Sequence, residues 1–127
     1  MELELYQTGH FEGRVLMKYS IKVSGNQVTV FLNDEIYVHD AMLLRCDLLE
    51  MIDQGILDVR MDLSGLFYID KSVFGTLVMI NKRLKEKNGS FVLIGVQGRP
   101  LELIKRTRLD KVFTIEAGEF KVSDLYD

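Results

Sequence analysis

The chain of 127 residues has few of the residues that would indicate a disulfide scaffold, a metal site or a membrane span. Its single cysteine, Cys46, cannot form an internal disulfide. The two histidines, His10 and His39, stand apart from any cluster of metal ligands. No apolar run is long enough to cross a bilayer or to form the core of a signal peptide. We therefore expect a cytoplasmic protein with no membrane insertion, no metal and no cofactor.

The chain also lacks an excess of basic charge. Its net charge is -3 and its acidic and basic residues are interleaved, so it has no basic stripe to neutralise a phosphate backbone. Nucleic acid is therefore not an expected partner. A glycine-rich phosphate loop and a Ser/His/Asp arrangement are absent as well, which argues against an enzyme. With 47% hydrophobic residues, the chain can form the core of one domain.

Hydrophobic periodicity predicts strands that alternate with helices. Residues 1–14 have little sustained pattern beyond a short edge strand around Leu3 and Leu5, so we treat them as an extension and residues 15–127 as the domain. The predicted strands are 15–23, 27–32, 59–63, 90–96 and 112–115, and helices begin near Asp40, Asp70 and Gly98. This order predicts an α/β fold with a mixed, mostly parallel sheet of about five strands and an opening antiparallel hairpin.

Two polar segments should meet at one edge of this sheet. Residues 33–37 are predicted to form a loop after the second strand, and residues 64–65 a turn after the third. Residues 70–72 then begin a helix. Because sites in α/β sheets gather at the carboxyl ends of the strands, we expect residues 33–37 and 70–72 to be neighbours.

The helix start at Ser72 has the chemistry of an anion-accepting surface. Its unpaired amides and the positive end of its dipole accommodate a phosphate. Gly75, Thr76 and Met79 follow Ser72 on one line, a small and adaptable surface that suits a protein partner. A glycine inside a helix lowers helix stability by about 1 kcal/mol relative to alanine. We therefore expect that Gly75 allows another group to approach the helix closely. The simpler alternative is that Asp70 or Ser72 caps the helix and Gly75 packs against the protein's own backbone.

The motifs around this helix start resemble the STAS domain of bacterial anti-sigma factor antagonists. Residues 62–65 read Asp-Leu-Ser-Gly, and residues 68–75 read Tyr-Ile-Asp-Lys-Ser-Val-Phe-Gly. The family pattern is Asp-Leu-Ser-Gly, followed by Phe-Ile-Asp-Ser-Ser-Gly-Leu-Gly. Residues 91–95 and 109–113 are similar to the family as well, and the resemblance extends from about residue 15 to residue 115.

The resemblance implies a single STAS-like domain that acts as a non-catalytic binding module. In the family, the antagonist binds an anti-sigma factor that is a serine kinase, phosphorylation of one serine breaks the complex, and a serine phosphatase restores it. Ser72 falls on that serine, Asp70 on the acidic residue before it and Gly75 on the second glycine. The residues expected to contact the partner are Asn33, Asp34, Tyr37, Asp70, Lys71, Val73, Gly75, Thr76 and Met79.

Three positions depart from the family pattern. Lys71 replaces the first serine, Val73 replaces a glycine, and Tyr37 stands where many relatives have an aspartate. A docking surface made bulkier by Val73 favours an alternative function, in which the chain is an unphosphorylated STAS scaffold subunit of a larger signalling or transport complex.

Overall fold

The computed structural model describes residues 3–7, 10–11, 14–15 and 19–118, and the side chains of residues 19–118. Strands and helices alternate through most of this part of the chain. The strands are β1 (Leu3–Gln7), β2 (His10–Phe11), β3 (Arg14–Val15), β4 (Tyr19–Ser24), β5 (Gln27–Ile36), β6 (Asp58–Ile69), β7 (Ser90–Ile94) and β8 (Thr114–Glu116). The helices are α1 (Val38–Asp53), α2 (Val73–Glu86) and α3 (Gly98–Arg106), followed by a 3-10 turn (Leu109–Lys111).

Six of the strands form one mixed sheet in the order β1-β4-β5-β6-β7-β8. The pairs β1/β4 and β4/β5 are antiparallel, and the other three pairs are parallel. The predicted α/β fold with an opening hairpin is therefore confirmed. The sheet has one strand more than the five we predicted because the edge strand around Leu3 and Leu5 is present as β1. The boundary at residue 14 stays a prediction, and residues 119–127 of the predicted domain lie outside the described part of the chain.

The two central strands are longer than the sequence predicted. The predicted loop at residues 33–37 and the predicted turn at residues 64–65 are wrong, because β5 runs through Ile36 and β6 through Ile69. Register shifts between Phe31 and Asn33 and between Asp34 and Glu35 absorb the polar residues without ending the pairing. Asp34 adopts φ 60°, a left-handed conformation that aspartate tolerates better than most residues. The bulged pair therefore extends as a projection that leads into both helices.

Helices α1 and α2 pack on the sheet with the apolar faces that their periodicity predicts. Their buried apolar residues are Ala41, Leu44, Leu48, Ile52, Val73, Phe74, Leu77, Ile80 and Leu84. Full burial of one such side chain stabilises the fold by roughly 1.5–3 kcal/mol, so these two faces anchor the helices firmly. Asn81 is the one buried polar side chain of residues 19–118, and its amide donates to the Val112 carbonyl at 3.4 Å.

The first residues of α1 and β8 differ slightly from the predicted ones. Helix α1 begins at Val38 rather than at residue 39 or 40, and the Asp40 carboxylate accepts a hydrogen bond from the Tyr37 amide at 3.0 Å. Strand β8 begins at Thr114 rather than at residue 112, because the 3-10 turn occupies the residues before it. The Cys46 side chain is exposed.

Candidate functional site

The ends of β5 and β6 bring the two predicted polar segments together. Ile36 is paired with Ile69, and the Asp70 amide donates to the Ile36 carbonyl at 3.0 Å. The Tyr37 and Tyr68 rings lie beside this junction with their centroids 5.4 Å apart. The starts of α1 and α2 are therefore neighbours, as the sheet topology predicted.

Asp70 organises the start of α2. Its Oδ1 atom accepts hydrogen bonds from the Ser72 hydroxyl at 2.6 Å and from the Ser72 amide at 2.9 Å. Its carbonyl accepts from the Val73 amide at 2.9 Å. The Ser72 hydroxyl bond, and after it the amide bond, favour the charged form and lower the pKa of the Asp70 carboxyl. Asp70 therefore caps the helix as an ionised carboxylate and fixes the position of Ser72.

Tyr37 and Glu35 form a second hydrogen-bonded pair on the α1 side of this edge. The Tyr37 hydroxyl donates to Glu35 Oε1 at 2.8 Å. This bond holds the phenolic proton and is the main reason why the pKa of Tyr37 is raised. Tyr37 is 41% exposed, so a partner that approaches the start of α2 can reach its ring.

The surface around Ser72 is small and open. Ser72 and Gly75 are exposed, and Thr76 and Met79 are half-buried. A Cβ atom built on Gly75 meets no atom within 4 Å, so the idea that Gly75 packs against the protein's own backbone is wrong. The glycine leaves free space on an exposed helix face, where a partner can approach the backbone closely.

Val73 requires a correction. We predicted that Val73 contacts the partner. This prediction is wrong, because the Val73 side chain has 0% exposure and lies in the core. The helix turns the side chain at the first position of α2 toward the sheet, along the line that continues through Leu77 and Ile80. Val73 therefore adds no bulk to the surface, and its replacement of the family's glycine gives no support to a scaffold function.

The structure separates Asn33 and Asp34 from Ser72. Asn33 is paired with Gly65, and Asp34 with Leu66, whereas the junction with α2 lies at the pair Ile36 and Ile69. They precede Ile36 by three and two residues of strand, which correspond to about 10 and 7 Å, so these side chains are on the flank of the projection rather than at its end. A role for either of them in partner binding requires a partner that covers the flank as well.

Sequence reasoning missed a basic groove beside this surface. A cavity of about 330 Å³ lies between the end of β6 and α3, and Lys71 lies on it together with Arg99 and Arg106. A sequence signal was available, because residues 98–111 carry five basic and two acidic side chains in a chain with a net charge of -3.

The part of the chain that the structure describes has neither a cluster of metal ligands nor a membrane-spanning helix. Residues 19–118 contain no group of three or more His, Cys, Asp or Glu side chains that could hold a metal ion. No helix within the described ranges has both the length and the apolar character needed to cross a membrane.

The fold belongs to a known class of domain. The family model of the STAS domain matches residues 18–120, so the chain is a member of the STAS domain family. A curated relative from Bacillus subtilis (strain 168), the anti-sigma-B factor antagonist, is 31% identical over 97 residues, which cover 76% of this chain and 88% of that protein.

Two solved structures of a Bacillus protein share the fold. The anti-sigma factor antagonist SpoIIAA in its unphosphorylated form aligns with a TM-score of 0.67 at 14% identity, and covers 86% of this chain and 94% of its own. The phosphorylated form of SpoIIAA, described as a Bacillus cell fate determinant, aligns with a TM-score of 0.68 at 14% identity. This alignment covers 86% of the present chain and 96% of the SpoIIAA chain. At this level of identity the two structures show that the fold is the same.

Proposed function

We propose that this protein is an anti-sigma factor antagonist that acts in the cytoplasm as a binding module without catalytic activity. In its unphosphorylated form it binds an anti-sigma factor, which is also the serine kinase that modifies it at Ser72. A serine phosphatase restores the binding form. The identity with the anti-sigma-B factor antagonist over three quarters of the chain supports this class of function. The observation that carries it is the exposed start of α2, where the Ser72 hydroxyl lies beside the open space at Gly75.

The local geometry explains how one phosphate could end binding. A phosphoserine carries about -1.5 to -2 charges at neutral pH. At Ser72 it would lie next to the Asp70 carboxylate, and the hydroxyl proton that now bonds the two residues at 2.6 Å would be gone. A docked partner would then face two adjacent negative groups that it has to desolvate.

The fold should survive the same modification. The N-terminus of α2 offers the positive end of its dipole to a phosphate, and Lys71 adds a positive charge next to it. Ser72 is exposed, so a phosphate displaces no core side chain. The modification therefore acts on the docking surface rather than on the stability of the domain.

The test is intact mass and site mapping of the protein isolated from its own cells. Ser72→Ala is the test variant. Ser64→Ala is a matched control, because Ser64 is exposed and forms the same hydrogen bonds with Asp62. We expect one phosphate in the wild type and in Ser64→Ala, and none in Ser72→Ala.

The partner is tested with the same proteins. The unphosphorylated chain should retain an anti-sigma factor with kinase activity, and that complex should dissociate after phosphorylation in vitro. Absence of a phosphate during growth, starvation and stress would contradict the switch, and the unphosphorylated scaffold function would take its place.

A further inference from the structure

The basic groove beside Ser72 combines charged and apolar groups. It lies between the end of β6 and α3, and its cavity measures about 330 Å³. Its lining includes three cations, one carboxylate and two apolar side chains: Lys71, Arg99, Arg106, Glu102, Ile69 and Leu103. The three cations are exposed, so a ligand can reach them from solvent.

Within residues 19–118, these cations form no ion pair. The ion pairs among residues 19–118 join Arg60 to Glu116, and Arg83 and Lys87 to Asp53. Lys71, Arg99 and Arg106 take part in none of them. Three like charges around one cavity repel each other, and Glu102 offsets only part of that charge. Within the described residues 19–118, the groove therefore carries more positive than negative charge, in a chain whose net charge is -3.

A second cavity continues this groove. It measures about 460 Å³, shares Arg99 with the first, and runs past Gly65, Phe67 and Pro100. Phe67 is 58% exposed, which is unusual for a large aromatic side chain. Arg99 lines both cavities, so this depression, made of two neighbouring cavities, fits an extended chain that occupies both better than a compact small molecule.

We propose that this depression binds an extended acidic segment of a protein partner. Carboxylates of the segment pair with Lys71, Arg99 and Arg106, and arginine can bind a carboxylate through two parallel hydrogen bonds. An apolar residue of the segment covers Phe67.

The groove also links binding to the proposed switch. Lys71 is directly followed by Ser72, so a phosphate on Ser72 would compete with the segment for Lys71 and lower the positive potential at this end of the groove. This link deepens the proposed function and rests on it for the partner's identity. The groove's preference for acidic segments can be tested without that partner.

The experiment measures binding of a fluorescein-labelled hexaglutamate peptide to the full chain by fluorescence anisotropy, with a hexaglutamine peptide as reference. We expect Arg99→Gln and Arg106→Gln to weaken hexaglutamate binding about threefold each and roughly tenfold together, as for the loss of exposed ion pairs. Lys105→Gln is the matched control, because Lys105 is an exposed cation of α3 outside the groove, and should change the affinity less than about twofold.

Three results would overturn the proposal: equal binding of both peptides, a loss in Lys105→Gln as large as in Arg99→Gln, or displacement of hexaglutamate by inorganic phosphate but not by chloride at equal ionic strength. The last result would indicate a site for small oxyanions. Circular dichroism checks that each variant is folded. Hexaglutamate binding is measured on the unphosphorylated chain, so a failure to find phosphate on Ser72 in cells would remove the switch without affecting this test.

Discussion

Two Asp-x-Ser segments of this chain form the same local hydrogen bonds in different surroundings. In residues 62–64 and in residues 70–72, Oδ1 of the aspartate accepts from the serine amide at 2.9 Å and from the serine hydroxyl. Both serines are exposed. The first segment lies inside β6, and the second joins β6 to α2.

The surroundings distinguish the two serines. The backbone next to Ser64 is covered by the chain itself, since a Cβ on Gly65 would meet Asn33 Oδ1 at 2.7 Å and a Cβ on Gly95 would meet the Ser64 side chain at 3.1 Å. Gln97 donates to the Ser64 carbonyl at 3.4 Å. Near Ser72, the space at Gly75 is empty. The Asp-Ser hydrogen bonds therefore position the hydroxyl in both segments. Only at Ser72 does a free helix face beside the hydroxyl allow it to be part of an interface.

Charge at the two serines should have very different effects on partner binding. Ser72→Glu places a negative side chain at the centre of the proposed docking surface, and we expect it to weaken binding of the anti-sigma factor at least about 30-fold, or roughly 2 kcal/mol, as for an interface hot spot. Ser64→Glu adds the same charge on the wall of the second cavity, away from the start of α2, and should cost about threefold, as for one exposed charge contact. Isothermal titration calorimetry with the identified partner measures both. Equal losses in the two variants would show that general charge repulsion acts rather than a local interface.

The glycine after Ser64 is expected to be sensitive to substitution. A methyl group in Gly65→Ala would overlap Asn33 Oδ1, so the Asn33 side chain would have to move. Because the overlapping atom is the end of a side chain, we expect a loss of at most about 1 kcal/mol in the free energy of unfolding, at the low end of the range for overpacking. In an Asn33→Ala background the same substitution should cost less, because the overlapping atom is gone. Urea unfolding of the four proteins measures the coupling, and additive losses would contradict this steric explanation.

The glycine after Ser72 should respond in the opposite direction. Gly75→Ala meets no atom within 4 Å and replaces an exposed helical glycine, so we expect the free energy of unfolding to rise by about 0.5–1 kcal/mol. The same methyl group should weaken partner binding, because it fills space that the partner would occupy. Thermal unfolding and calorimetry on the same sample separate the two effects. A variant that is more stable and binds with unchanged affinity would exclude Gly75 from the interface.

Much of this contrast was readable from the sequence. The 3.6-residue period of α2, the strand of residues 90–96 and the alternation of strands with helices were sufficient to predict the α/β fold and the proximity of residues 33–37 to residues 70–72, although not the long strands that carry them. The motif around Ser72 then indicated which helix start to consider.

The missed features depend on contacts that are distant in sequence. Polar residues 33–35 look like a loop, but pairing with β6 keeps them in a bulged strand. Val73 belongs to the buried line of α2, and the family motif alone could not show that its side chain faces the core. Arg99 and Arg106 meet Lys71 only because α3 packs beside the end of β6, which no local pattern reports.

The smallest expected effect concerns the hydrogen bonds of the second segment. The pKa of Asp70 lies below its ordinary 3.8, first because the Ser72 hydroxyl donates to its carboxylate and then because the Ser72 amide does. Since the folded state lowers this pKa, ionised Asp70 stabilises the fold above the pKa of the unfolded chain. That contribution is lost as the pH falls through the lower, folded value.

Ser72→Ala removes the hydroxyl and keeps the amide, so the pKa of Asp70 should rise toward 3.8 without reaching it, and the acid limb of the stability curve should move to higher pH. Carboxyl ¹³C NMR follows the titration directly, with Ser64→Ala as the control that leaves Asp70 unchanged. Phosphorylation removes the same proton and adds charge, so it should raise the pKa of Asp70 further. An Asp70 titration that is unaffected by Ser72→Ala would mean that the hydroxyl is not held in solution, and the two Asp-x-Ser segments would then differ in their hydrogen bonds as well as in their surroundings.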